Sequence, residues 1–191
     1  MLSMVEIWRI AVITAALGFI FKGFIGKYAR LRHAHYDPLV HHPKGFDWEG
    51  FKFSIMVTAP AIILHELGHK FVAMALGLKA TLYAAYGWLG FGILLRLMNF
   101  GFIFFVPGYV AHSPAPPLQS AAISFAGPAM NLLIWGICAA LLKYGKVQRK
   151  YVPLLTLSKN INLFLFAFNM IPIRPFDGGG VVNGLLRYFS G

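Results

Sequence analysis

The chain has 191 residues, 58% of them hydrophobic and only 12% charged, with a formal net charge of +11. Soluble domains average about 45–50% and about 25% in those two classes, so a core of this size cannot hide the apolar surface from water and lipid is the expected solvent. The charge does not imply nucleic acid, because no basic-plus-aromatic motif accompanies it; Lys and Arg gather between apolar segments, at Lys22–Lys52 and Lys143–Lys150, as in loops facing anionic headgroups.

Four segments approach the ~20 residues needed to cross a bilayer. The first runs from about Val5 to Phe24 and lacks a small-residue cleavage site, so an uncleaved anchor is expected. The basic loop behind it, Lys22–Lys52, holds His33, His35, His41 and His42, which read as part of a solvated loop because nothing fixes their geometry. The second span, about Phe53 to Leu78, contains the sequence HELGH. Next comes an apolar stretch from Ala80 to His112, broken by Gly87, Gly90, Gly92, Gly101, Pro107 and Gly108. Its Phe, Tyr, Ile and Val content predicts short strands in a hairpin rather than a lipid-facing helix. The third span covers about Leu118 to Leu142, with Gly127-Pro128 and the single cysteine, Cys138, inside it. One cysteine excludes an intramolecular disulfide. The fourth covers about Leu154 to Ile173, carries Lys159 near its start and ends in the turn-rich RPFDGGG.

His65-Glu66-Leu67-Gly68-His69 is the strongest chemical signal. On a helix, residues four apart share a face, so both imidazoles can reach one zinc ion, and Glu66 beside the first can take a proton from the attacking water. Ionisable residues in the middle of an apolar span are costly and mark function by default. A catalytic zinc site needs a third protein ligand. The carboxylates available are Glu6, Asp37, Asp47, Glu49 and Asp177. On local sequence Asp177 reads as a turn aspartate in Pro-x-Asp-Gly. It can share a membrane face with HELGH only if Ala80–His112 makes no net crossing.

HELGH on one membrane helix, followed by Asn-x-x-Pro-x-x-Pro-x-Asp-Gly at Asn169, Pro172, Pro175, Asp177 and Gly178, resembles the site-2 protease family of intramembrane zinc metalloproteases. A Gly-Pro-x-x-Asn element, here Gly127-Pro128-Ala129-Met130-Asn131, extends the resemblance, which covers roughly residues 53–180. With the spans and the strand pair read above, an α-helical integral membrane protein of about four transmembrane helices with a short membrane-associated β-hairpin is expected, and the resemblance implies a three-helix catalytic core within it. The whole chain, 1–191, would be one domain, with the anchor helix and basic loop in 1–52. It further implies Zn2+ held by His65, His69 and Asp177, Glu66 as general base, and Asn169 and Asn131 as polar groups near the substrate. Packing contacts and helix capping explain the two asparagines equally well. The extra helices and the PDZ or CBS domains of longer members are not expected, and Phe176 stands where many members have leucine.

The expected reaction is hydrolysis of a peptide bond in a membrane-spanning protein, in a multi-pass protein of the cell membrane. The strand edge in Ala80–His112 could catch an unwound substrate, although an inert packing element fits the same residues. The alternative is a membrane metal-binding or metal-transport protein without hydrolytic activity. The positive-inside rule turns the active-site end outward, whereas the resemblance implies that it opens to the cytosol, the orientation adopted here. Oligomeric state is not encoded in any feature of the chain.

Overall fold

In a computed structural model the described residues are 2–26, 28, 45–100 and 106–190. The four loop histidines, His33, His35, His41 and His42, lie outside them. Helix α1, Met4–Phe21, begins in a capping box: the Ser3 hydroxyl accepts from the Glu6 N–H while the Glu6 carboxylate accepts from the Ser3 N–H. Helix α2, Trp48–Ala75, is capped by Asp47, whose carboxylate accepts from the Gly50 N–H at 2.9 Å. At 28 residues it extends about 42 Å, more than a bilayer's hydrocarbon core. Helix α4, Pro117–Tyr144, opens with proline, which is suited to a first turn because its missing N–H has no partner to lose. A single 3-10 turn, Arg149–Tyr151, leads into helix α5, Val152–Asn169. Helix α6, Asp177–Phe189, follows. Helices α1, α2, α4 and α5 with its preceding turn are each long and apolar enough to cross a membrane, close to the four expected spans.

Two apolar clusters hold the helices together. Ile13, Leu17 and Ile20 of α1 pack with Ala59 of α2 and with Leu82 and Ala84. Phe53 and Val57 of α2 meet Leu154, Leu157 and Ile161 of α5. Helices α2 and α4 approach closely at Gly68, where a Cβ would stand 2.7 Å from the Met130 side chain and 2.8 Å from the Ala126 carbonyl oxygen. Leu133, Ile137, Leu163 and Phe164 point outward, as lipid-facing residues must.

Residues 80–112 form the expected antiparallel pair, but the connection is not a turn. Strands β1, Ala80–Ala84, and β2, Gly108–His112, flank a helix, α3, Tyr86–Leu97. In an apolar setting a helix satisfies its own backbone, whereas a longer hairpin would expose more edge. Ala80 pairs with His112, so the chain returns to where it left α2 and makes no net crossing. The Ser113 and Ala85 N–H groups donate across the sheet to the carbonyls of Lys79 and Pro107. Odd-numbered residues of both strands therefore bond across the sheet. The backbone groups pointing outward belong to Ala80, Leu82 and Ala84 on β1 and to Gly108, Val110 and His112 on β2.

Candidate metal centre

His65 and His69 sit one turn apart on α2, and Asp177 opens α6 after the chain has passed through α4 and α5. The folded chain brings them together: His65 Nε2 and His69 Nε2 are 3.2 Å apart, and Asp177 Oδ2 lies 3.1 and 3.4 Å from them. Donors bound at about 2.0–2.1 Å around a tetrahedral zinc stand about 3.3–3.4 Å from one another, so the three atoms already have that spacing. Among the described residues, His65, His69 and Asp177 form the cluster able to hold a metal ion.

The hydrogen bonds behind the rings decide what those three atoms present. His69 Nδ1 is 2.7 Å from the Ile123 carbonyl oxygen, so Nδ1 carries the proton and donates it. His65 Nδ1 is 2.7 Å from Asn131 Oδ1. Asn131 Nδ2 donates to the Ala61 carbonyl at 2.8 Å and to Asn162 Oδ1 at 2.9 Å, which leaves its Oδ1 as the acceptor for His65. In neutral rings both Nε2 atoms are then bare lone pairs. They face Asp177 Oδ2, which is buried without a hydrogen-bond partner. Three lone-pair donors converging in a buried place repel one another unless a cation lies between them. Gly127 of α4 supplies the space: a Cβ there would stand 2.3 Å from His69 Nε2 and 2.7 Å from His65 Nε2. The donor set, its spacing and this cradle all fit zinc.

Glu66 is 8% exposed, as are both histidines, and lines the same cavity of about 800 Å³. Asn169 also lines that cavity, while its Nδ2 donates to the Leu165 carbonyl one turn back. Asn131 is elsewhere: fully buried behind His65, with its polar atoms engaged by His65, Ala61 and Asn162. Asn162 had drawn no notice in the sequence. An asparagine inside an apolar span was its signal, since intramembrane polar groups need partners, but Asn160 two residues before it carries the same signal.

The sequence model of peptidase family M50 matches residues 52–151, which take in HELGH and Asn131 and end before Asp177. The chain belongs to peptidase family M50. It is 34% identical, over 70% of its own length and 70% of the other's, to a provisionally named zinc metalloprotease of Methanocaldococcus jannaschii. It is 27% identical to a provisionally named zinc metalloprotease of Synechocystis, over 77% of this chain and 35% of that one. A zinc metalloprotease of Methanocaldococcus jannaschii is 27% identical over 66% of this chain and 32% of its own. The chain thus spans only about a third of the last two relatives. No solved structure gives a significant match. Family and relatives together support a zinc metalloprotease, and with the four apolar helices a multi-pass membrane protein.

Proposed function

We propose that this M50 member is an intramembrane protease of the cell membrane, hydrolysing peptide bonds within or near the transmembrane segments of other membrane proteins. The observation carrying the reading is the trio His65, His69 and Asp177, set at tetrahedral spacing, with both histidines and Glu66 on a helix long enough to span a bilayer. Zinc, when bound there, would polarise the scissile carbonyl and acidify water. The Glu66 carboxylate takes one proton from the attacking water and delivers it to the departing amide nitrogen, leaving a carboxylic acid and an amine. Asn131 is a positioning residue that fixes the tautomer and plane of His65. Asn169 is the cavity asparagine able to hydrogen-bond substrate backbone or the developing oxyanion.

A transmembrane substrate hides its backbone in a helix, so the cut segment must be extended. Gly108, Val110 and His112 line the cavity, and their outward backbone groups offer an extended peptide an edge to pair with. Cleavage of a model membrane-spanning peptide by the detergent-purified protein, compared with Glu66→Gln and with zinc measured in both, tests the reading. Cleavage by wild type alone, zinc being retained in both, is expected. Bound zinc with no cleavage of any membrane-spanning peptide would favour a metal-binding or transport role instead.

A further inference from the structure

Glu6 and Lys70 form a buried ion pair that plays no part in the chemistry above, each side chain being 2–3% exposed. Burying two charges is costly unless their remaining hydrogen-bonding capacity is met, so what else they bind is informative. Glu6 Oε1 also accepts from the Leu82 N–H at 2.8 Å, and its Oε2 accepts from the Ser3 N–H at 2.8 Å. Lys70 Nζ also donates to the Ala80 carbonyl at 3.0 Å. Arg9, one turn along α1, donates from Nη1 to the Leu82 carbonyl at 2.7 Å and lies 4.2 Å over the Tyr83 ring. That ring stacks on Tyr109 of β2.

These bonds fall on one edge. Leu82, the central residue of β1, has both outward backbone groups taken by side chains of α1, and the outward carbonyl of Ala80 is taken by Lys70. A strand docking on that side would find its middle pair already bonded. On β2, the outward groups of Gly108, Val110 and His112 have no such bond among the described residues, and these three residues line the cavity of the metal centre. A two-stranded sheet normally presents two edges, and an exposed edge pairs with whatever strand arrives.

We propose that α1 belongs to the substrate-binding apparatus: Glu6, Arg9 and Lys70 clamp β1 and close its outer edge, so that an extended peptide pairs only with β2, beside the metal. The inference rests on the protease reading and gives α1, which precedes the family-matched residues, a task in it. The three side chains are positioning residues, since they act on the peptide through the sheet.

The test takes the full chain carrying Glu66→Gln, zinc-loaded in detergent, and measures the Kd of a fluorescent apolar peptide rich in valine and threonine. Two further versions carry Arg9→Gln, or Glu6→Leu with Lys70→Met; the latter removes both charges together and leaves no unpaired buried ion. Zinc content and the hydrogen-exchange rate of the Leu82 amide are read in each. Kd weaker by tenfold or more is expected in both at unchanged zinc content, because β2 loses the clamped partner strand that holds it in place. Faster Leu82 exchange is expected where Glu6, the acceptor of the Leu82 N–H, is replaced. Unchanged Kd in both versions overturns the clamp, as does absence of peptide binding to the parent. Loss of zinc in step with binding also overturns it, by reducing the three residues to general support of the fold. Wild-type protein that cleaves no membrane-spanning peptide would count against the protease reading while leaving this binding comparison intact.

Discussion

Gly127→Ala is the smallest change that should empty the metal centre. The added methyl would stand 2.3 Å from His69 Nε2, 2.6 Å from His69 Cε1 and 2.7 Å from His65 Nε2. Non-bonded atoms prefer about 3.5 Å, so the rings would have to retreat by about 0.8–1.2 Å. Neither can do so freely, because each is held from behind by a 2.7 Å hydrogen bond at Nδ1. Zinc–ligand distances tolerate only about 0.2 Å of error, so both imidazoles are lost as ligands at once. We expect zinc affinity to fall by at least ~1000-fold, about 4 kcal/mol. The fold should survive: overpacking costs about 1–3 kcal/mol, and alanine returns about 1 kcal/mol of helix propensity to α4. The assay is a zinc titration against a competing chelator, with thermal unfolding of the metal-free protein alongside. Binding within tenfold of wild type would refute the placement of the metal between these rings and α4.

Three further outcomes follow from the same geometry. Asn131→Leu should weaken zinc binding by about 10–100-fold, and Asn162→Leu by less, since it acts through Asn131; metal titrations order the two. Val110→Pro removes an outward N–H without touching the bonds between β1 and β2, so it should raise KM for an extended substrate by about tenfold, at near-constant kcat and zinc content. Chelation should abolish activity and added zinc restore it, with a lower melting temperature for the metal-free protein, because the trio's mutual repulsion is then uncompensated.

The local parts of this architecture were legible in the sequence. The four spans announced themselves by length and hydropathy, and HELGH by helical spacing. What escaped was long-range. Asp177 reads locally as a turn aspartate; its meeting with His65 and His69 depends on 80–112 returning to its starting point. That region was legible as paired strands but not as strand–helix–strand, because glycine-rich apolar sequence suits a turn as well as a lipid-facing helix. Glu6 looked like an acidic residue near the chain's start, yet its partners Lys70 and Leu82 lie 64 and 76 residues away. Asn131 illustrates the same limit. Only the folded neighbourhood shows its side chain turned to the back of His65, with Asn162 holding it there.

The central claim is that Glu66 and the His65–His69–Asp177 centre cut peptide bonds at membrane depth. Its most direct test is wild-type protein and Glu66→Gln reconstituted in vesicles with a membrane-spanning peptide, the products mapped by mass spectrometry. A zinc-dependent cut inside the spanning segment, present only with wild type, is the predicted result. Cuts confined to the water-exposed flanks, or equal cutting by Glu66→Gln, would contradict it.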